Sequence, residues 1–262
     1  MLRDTGPHSV EEGCDNYVSV GGGLSYRRFS KVDAASWQES IEGIYRRMRL
    51  AVRGGPYRLN CDGVTVRVLP NVYAPRFFTD SLWFAREVPK IVGRGSMLEI
   101  GTGTGIIAIA CARNGANVVA TDVNPDAVAN ARINFEDHGL AIEVREGEGY
   151  KPLAQRERFD FIFWAHPFNN WPSYVPDMLL RSGRDYRYEG VRHYIAHAKD
   201  HLTPRGRLLL GTGDTADIRS VLDIARTEGY EPKRLADEVM PLEEGGQLLV
   251  RYFVSEFVPL RD

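Results

Sequence analysis

Cysteine is scarce in this chain: three residues in 262, Cys14, Cys61 and Cys111, far apart and with no C-x-x-C pair. That excludes a disulfide framework and a zinc knuckle. No apolar run is long enough to span a bilayer, and no basic-then-apolar signal opens the chain, so no membrane partner is expected and the expected address is cytoplasmic. Neither charge sign dominates. The net charge is −2 at pH 7, without the basic footprint that phosphate-backbone binding leaves, so no nucleic-acid partner is expected. With 43% hydrophobic and 26% charged residues, the composition fits one sizeable core with a smaller attached region.

The stretch from residue 97 to 112 organises the rest. Met97, Leu98 and Ile100 suit a buried parallel strand, and Gly101, Gly103 and Gly105 follow with threonines between them. Ile106, Ile107, Ala110 and Cys111 then recur at helical spacing. A strand that ends in a glycine turn and restarts as a helix aims backbone N–H groups and a positive helix end at whatever lies above. A dinucleotide fingerprint needs glycine at the sixth place of G-x-G-x-x-G, but that place is Ile106. The pattern is E-x-G-x-G-x-G from Glu99, which resembles the first motif of the class I S-adenosylmethionine (SAM) methyltransferases. An ordinary glycine-rich turn of an α/β protein is the alternative.

Val118, Val119 and Ala120 lead to Asp122, about twenty residues past the glycine turn, where doubly wound folds place an acid for ribose hydroxyls. Asn124 reads as an N-cap with Pro125 at the first helical position, and Asp122 could instead help cap that helix.

Upstream, residues 1 to about 34 show no period and read as loop. Ser36 and Glu39 form a capping box for a helix over about 36–53, whose outer face carries Arg46, Arg49 and Arg53, either a solvated basic face or a clamp for an acidic substrate. Tyr57, Leu59 and Cys61 alternate, Asp62-Gly63 turns, and Val64, Val66 and Val68 alternate back as a hairpin. Pro75-Arg76-Phe77-Phe78-Thr79 then runs into a helix with Leu82, Phe84 and Ala85.

The order hairpin, Pro-Arg-x-x-Thr, helix, E-x-G-x-G-x-G resembles the protein-glutamine N5-methyltransferases and their relatives with the "small" methyltransferase domain, over about residues 57 to 230. The resemblance implies an α/β fold: a doubly wound Rossmann-like methyltransferase sheet of seven strands, the last antiparallel, with an N-terminal helical and hairpin extension. Residues 1–75 are then the extension, capping the substrate, and 76–262 the SAM-binding domain. It implies SAM as cofactor, no metal, and a cofactor shell of Glu99, Gly101, Thr102, Gly103, Gly105, Asp122, Val123, Asn124, Glu148, Gly149 and Ala165. Glu148 stands where the family places an acid for the adenine amino group; a solvated loop carboxylate is the other reading.

The fourth strand, from Phe159, ends at Ala165-His166-Pro167-Phe168, where the family carries Asn-Pro-Pro-Tyr or Asn-Pro-Pro-Phe. Ala165 removes the side chain that accepts from the acceptor amide. His166 reads as a general base, an orienting hydrogen-bond partner or a structural loop histidine, and Phe168 as the aromatic wall. From Asn169 to Gly190 a loop with Trp171, Tyr174, Tyr186 and Tyr188 follows the reactive strand end, forming a lid whose aromatic faces can attract a sulfonium or simply pack under the loop. His193, His197 and His201 lie one helical turn apart with no acid or cysteine at ligand spacing, and are not read as a metal site. Tyr194, Ile195, Ala198 and Leu202 mark that helix, and two closing strands run over 234–240 and 248–258.

The expected reaction is SAM-dependent methyl transfer to nitrogen or oxygen of a small polar or aromatic molecule, with His166, Phe168 and Tyr186 at the acceptor. Two alternatives keep SAM: cyclisation of its own aminobutyryl part with release of methylthioadenosine, and methylation of a protein side chain. A binding subunit without turnover is a third class, and the oligomeric state is open.

Overall fold

Seven strands form the central sheet of the computed structural model, which describes residues 17–20, 24–27, 34–61 and 63–260. In chain order they are β1 (Ser96–Ile100), β2 (Asn117–Asp122), β3 (Glu143–Glu146), β4 (Phe159–Ala165), β5 (Leu202–Gly213), β6 (Tyr230–Pro241) and β7 (Leu249–Pro259). Their spatial order is β6-β7-β5-β4-β1-β2-β3; β7 runs antiparallel to both neighbours, and the other pairings are parallel. The chain winds outward from β1 to β3, then returns to the other side of β1 as β4. This reversal puts the carboxyl ends of β1 and β4 side by side, where open α/β sheets leave a crevice.

Strand alternation divides the core between the two faces. Met97, Phe163 and Leu209 share one apolar cluster with Trp83, Phe84 and Ile109, while Leu98, Ile162, Leu208 and Leu210 share the other with Tyr194, Ile195 and Val221. With both faces covered, the central strands read as continuous apolar runs. The helices are α1 (Ala34–Ala51), α2 (Asp80–Val92), α3 (Ile106–Arg113), α4 (Pro125–Asp137), α5 (Met178–Arg181), α6 (Glu189–His197) and α7 (Ile218–Thr227).

Helix α1 starts two residues before the expected capping box and passes into a 3₁₀ turn over Val52–Gly54. Its Ile44, Tyr45 and Met48 join the cluster that holds Val66 and Val68 of the hairpin Tyr57–Cys61/Val64–Val68. Two fully buried amides of α4 fasten that hairpin: Asn134 Oδ1 accepts from Arg67 N at 2.7 Å and Asn130 Oδ1 from Leu69 N at 2.8 Å. Both amide nitrogens donate to Arg67 O, so an edge strand that would lie open is satisfied by side chains. The segment after it is thereby led into the crevice.

Most of the expected loop before residue 34, Cys14, and the turn residue Asp62 lie outside the described residues; within the former, Tyr17–Val20 and Leu24–Arg27 pair antiparallel. The segment read as an irregular lid carries structure of its own: Asn169–Trp171 pairs parallel with Arg184–Tyr186, and Asp177 caps α5 by accepting from Leu180 N at 3.0 Å. Leu202 was expected at the end of α6, but it opens β5 opposite Phe159, with a register shift before Arg207.

Candidate active site

A cavity of about 530 Å³ opens at the carboxyl ends of β1, β2 and β4, within the roughly 300–1,000 Å³ usual for small-molecule sites. Gly101, Gly103 and Gly105 all take left-handed backbone, with φ of 67°, 57° and 81°. A Cβ on Gly101 would stand 2.9 Å from Trp164 Nε1, and one on Gly105 2.5 Å from Phe135 Cε1 of α4, so these two permit close packing. At Gly103 a Cβ would meet no protein atom within 4 Å: this residue borders open cavity.

Asp122 ends β2 beside that turn. Its Oδ2 accepts from Gly103 N and its Oδ1 from Asn124 N, both at 2.9 Å. Burial holds its carboxyl above the usual range, against these donors that lower it. Each oxygen keeps a further lone pair, which suits vicinal hydroxyls. Thr102, Val123, Asn124 and Gly149 also line the cavity. Glu99 and Gly105, expected in the cofactor shell, do not. Glu99 lies beneath the turn, 2% exposed, accepting from Thr102 Oγ1 at 2.7 Å, and burial pushes its carboxyl up to about 8. It braces the glycine turn from below. Glu148 lines the cavity but is held by Lys151 Nζ at 2.7 Å and Arg181 at 3.4 Å; the Lys151 hydrogen bond leads the lowering of its carboxyl. The open face at Gly103, the spare lone pairs of Asp122 and the cavity's size together fit SAM.

At the other end stand Ala165, His166, Pro167 and Phe168. His166 is 2% exposed, and its Nε2 shares a hydrogen bond of 2.7 Å with Thr212 Oγ1 of β5. Burial pulls its pKa down to about 3, so the ring is neutral at physiological pH and far too weak a base to take a proton there. Of the roles anticipated for it, general base falls away, and hydrogen bonding or packing stays. The Phe168 ring lies 5.7 Å from His166 and 6.2 Å from Tyr252. Tyr188, wholly buried, donates to Phe168 O and accepts from Asp217 N, which fixes the loop after β4. Tyr188 and its neighbour Arg187 have φ of 53° and 51°, strain of about 1–3 kcal/mol each for non-glycine residues.

Tyr186 lines the cavity with Arg187 5.2 Å from its ring centre; Trp171 and Tyr174 likewise lie under Arg184 at 4.3 Å and Arg181 at 5.6 Å. The aromatic faces proposed for a sulfonium thus already carry the chain's own guanidinium groups. His193 and His197 lie 4.4 Å apart, whereas His201 stacks on Tyr150 at 5.1 Å. Among the described residues no group of three or more His, Cys, Asp or Glu side chains is placed to hold a metal ion, and no helix is long and apolar enough to cross a membrane.

Sequence reasoning missed Asp80 and Asp185. Asp80, the first residue of α2, faces the cavity; it accepts from Tyr73 Oη at 3.1 and 3.2 Å and from Ser81 N at 2.6 Å, and burial raises it to about 6. Asp185 accepts from Gly190 N at 3.0 Å and Val191 N at 2.9 Å, tying the lid to the start of α6. The signal for Asp80 was its place directly after Pro-Arg-x-x-Thr, a segment read only as a lead-in.

A family model described as the methyltransferase small domain matches residues 63–227. The chain is 32% identical over 166 residues to the ribosomal protein uL3 glutamine methyltransferase of Burkholderia pseudomallei, covering 56% of this chain and 53% of that one. It is 32% identical over 193 residues to a Methanocaldococcus jannaschii protein that bears the name of a protein N5-glutamine methyltransferase, covering 71% and 94%. Against the ribosomal RNA small subunit methyltransferase C of Idiomarina loihiensis it is 26% identical over 150 residues, 57% of this chain and 41% of that one. The chain thus spans about half the length of two of these relatives. Among solved structures, a Thermus thermophilus 16S rRNA methyltransferase has the same fold, with a TM-score of 0.55, 19% identity, and 79% of this chain and 50% of that one covered. The relatives correct two expectations: their names give ribosomal protein, protein glutamine and ribosomal RNA, which goes against a small-molecule acceptor and against excluding nucleic acid.

Proposed function

We infer the activity from one premise: the chain belongs to the methyltransferase small-domain family and is a SAM-dependent methyltransferase. From it we propose methyl transfer to a nitrogen of a protein. The observation that carries this reading is the continuous cavity from the glycine turn and Asp122 to Ala165–Phe168, in a chain most of whose length aligns with a relative named for protein N5-glutamine methylation.

Bound there, SAM supplies an electrophilic methyl group with its leaving sulfur attached. The protein supplies position. In this proposal Asp122 accepts from the ribose hydroxyls, Gly103 gives the backbone close access, and Glu148 reaches the adenine edge. Trp164 and Phe168 wall the transfer point. Holding a nitrogen in line behind the methyl carbon and excluding water can supply about 7–11 kcal/mol of the barrier. Residues up to about 75 serve as the acceptor cap. Ile41 and Tyr45 of α1 line the cavity, and ion pairs of Arg47 with Glu243 and Arg49 with Asp177 tie that helix across the mouth, which supports the assignment.

Ala165 favours a second reading, because it offers no side-chain acceptor for an incoming amide: the donor's own amine displaces the sulfur, and methylthioadenosine leaves. The test is to incubate purified protein and methyl-labelled SAM with extract proteins. Label in a defined protein supports the first reading; no labelled protein contradicts it.

A further inference from the structure

We propose that the acceptor nitrogen is an amine, bound as its ammonium against the Asp80 carboxylate, which takes its proton before transfer. This rests on the protein reading above and adds the chemical class of the acceptor, a lysine side chain or a protein N-terminal amine.

Of the other carboxylates that line the cavity, Glu189 is exposed at the start of α6 and three are committed. Asp122 holds two backbone N–H groups of the cofactor end, Asp185 holds two at the start of α6, and Glu148 is paired with Lys151 and Arg181. Asp80 differs. It accepts from Tyr73 and Ser81, and its charge reaches Tyr45 and Tyr252; the cation on that side, Arg184, lies 5.9 Å over the Tyr45 ring and is paired with Glu42. Tyr73 stacks on Phe78 at 5.3 Å, Tyr45 tilts against Phe78 at 5.6 Å, and Tyr252 lies 6.2 Å from Phe168. An anion lined by aromatic rings is a site for an ammonium ion, which gains from the charge and from the ring faces. A neutral amide would bring this half-buried carboxylate no positive charge.

The helix start at Asp80 gives a structural reason for an acid there, but a helix end lowers a carboxyl. Burial instead raises this one to about 6, which leaves it ionised at neutral pH and a stronger base than an ordinary carboxylate, so that the uphill proton transfer from an ammonium costs less. The balance is simple. The ammonium gives one proton to Asp80 and becomes an amine; its lone pair forms the bond to the methyl carbon, and the carbon–sulfur bond breaks with its electron pair left on sulfur. The product is a methylated ammonium and S-adenosylhomocysteine, and Asp80 returns its proton to water.

The experiment digests extract proteins labelled by purified protein and methyl-labelled SAM, and identifies the modified residue by mass spectrometry. Methylated lysine or a methylated N-terminal amine is expected. N5-methylglutamine overturns the amine assignment and leaves the protein reading standing, whereas no labelled protein overturns both. Asp80→Asn should lose about 100-fold in labelling at neutral pH and the acid limb near pH 6, with SAM binding by calorimetry within about twofold of wild type. Tyr73→Phe, which removes only a hydroxyl donated to the carboxylate, should move that limb to higher pH. Wild-type labelling by Asp80→Asn, or a limb that Tyr73→Phe leaves in place, overturns the role of Asp80.

Discussion

Asp122→Ala separates the cofactor role of this carboxylate from its structural one. The carboxylate is 8% exposed and accepts the N–H groups of Gly103 and Asn124, both at 2.9 Å. Alanine orphans both donors, at about 1–3 kcal/mol each, and part of that is regained because a buried charge disappears. A net loss of about 2–3 kcal/mol corresponds to a fall in Tm of roughly 4–12 °C for a chain of this size. If Asp122 also receives two ribose hydroxyls, charge-assisted bonds of about 1.5–3 kcal/mol each are lost, and SAM affinity falls by about 100-fold or more. Glu148→Ala should cost less, because its side chain is 52% exposed and already shared with Lys151 and Arg181. Calorimetric titration with SAM beside thermal unfolding measures both quantities. A lowered Tm with SAM affinity unchanged in Asp122→Ala, or a larger affinity loss in Glu148→Ala, refutes the ribose assignment.

Two further predictions concern the glycine turn and the reactive loop. Gly101→Ala must hold φ near 67° and set a Cβ 2.9 Å from Trp164 Nε1, so it should lose about 1–2 kcal/mol of stability and weaken SAM binding as the indole shifts; unfolding and titration together check this. His166 has a folded pKa of about 3, below its unfolded value, so the unfolded chain binds the extra proton at intermediate pH. Its contribution is intact above about pH 6.5 and is lost toward pH 3 at about 1.4 kcal/mol per unit. Glu99 and Asp80, raised by burial, act in the opposite sense, so the comparison is with His166→Gln: urea unfolding at pH 7.5 and 4.5 should show a smaller acid loss in the variant.

The sheet was legible because its central strands are short apolar runs, β1 ended by a glycine and β2 by an acid: β1, β2, β4 and the two closing strands lie within a few residues of where their patterns put them. So was the cofactor end, since Gly101 to Gly105 and Asp122 are contiguous with the strands that carry them. Glu99 shows the limit of spacing alone. Alternation assigns it a face of β1 but does not say that the face points under the turn, toward Thr102 and away from the cavity. The lid misled for a different reason: its aromatic residues suggested a sulfonium cage, whereas arginines of the same segment cover them. Asp80 was invisible because its meaning comes from long-range packing, with Tyr45 from α1 and Tyr252 from β7 closing around it. The acceptor class misled too: the loss of the asparagine at position 165 pointed away from protein amides, and the relatives point back to macromolecules.

The central claim is that this chain moves a methyl group from SAM to a protein. Quantifying the adenosine products of purified protein, first with SAM alone and then with extract proteins added, tests it most directly. S-adenosylhomocysteine that appears only with extract protein is the predicted result. Methylthioadenosine formed from SAM alone, with no dependence on added protein, would contradict it.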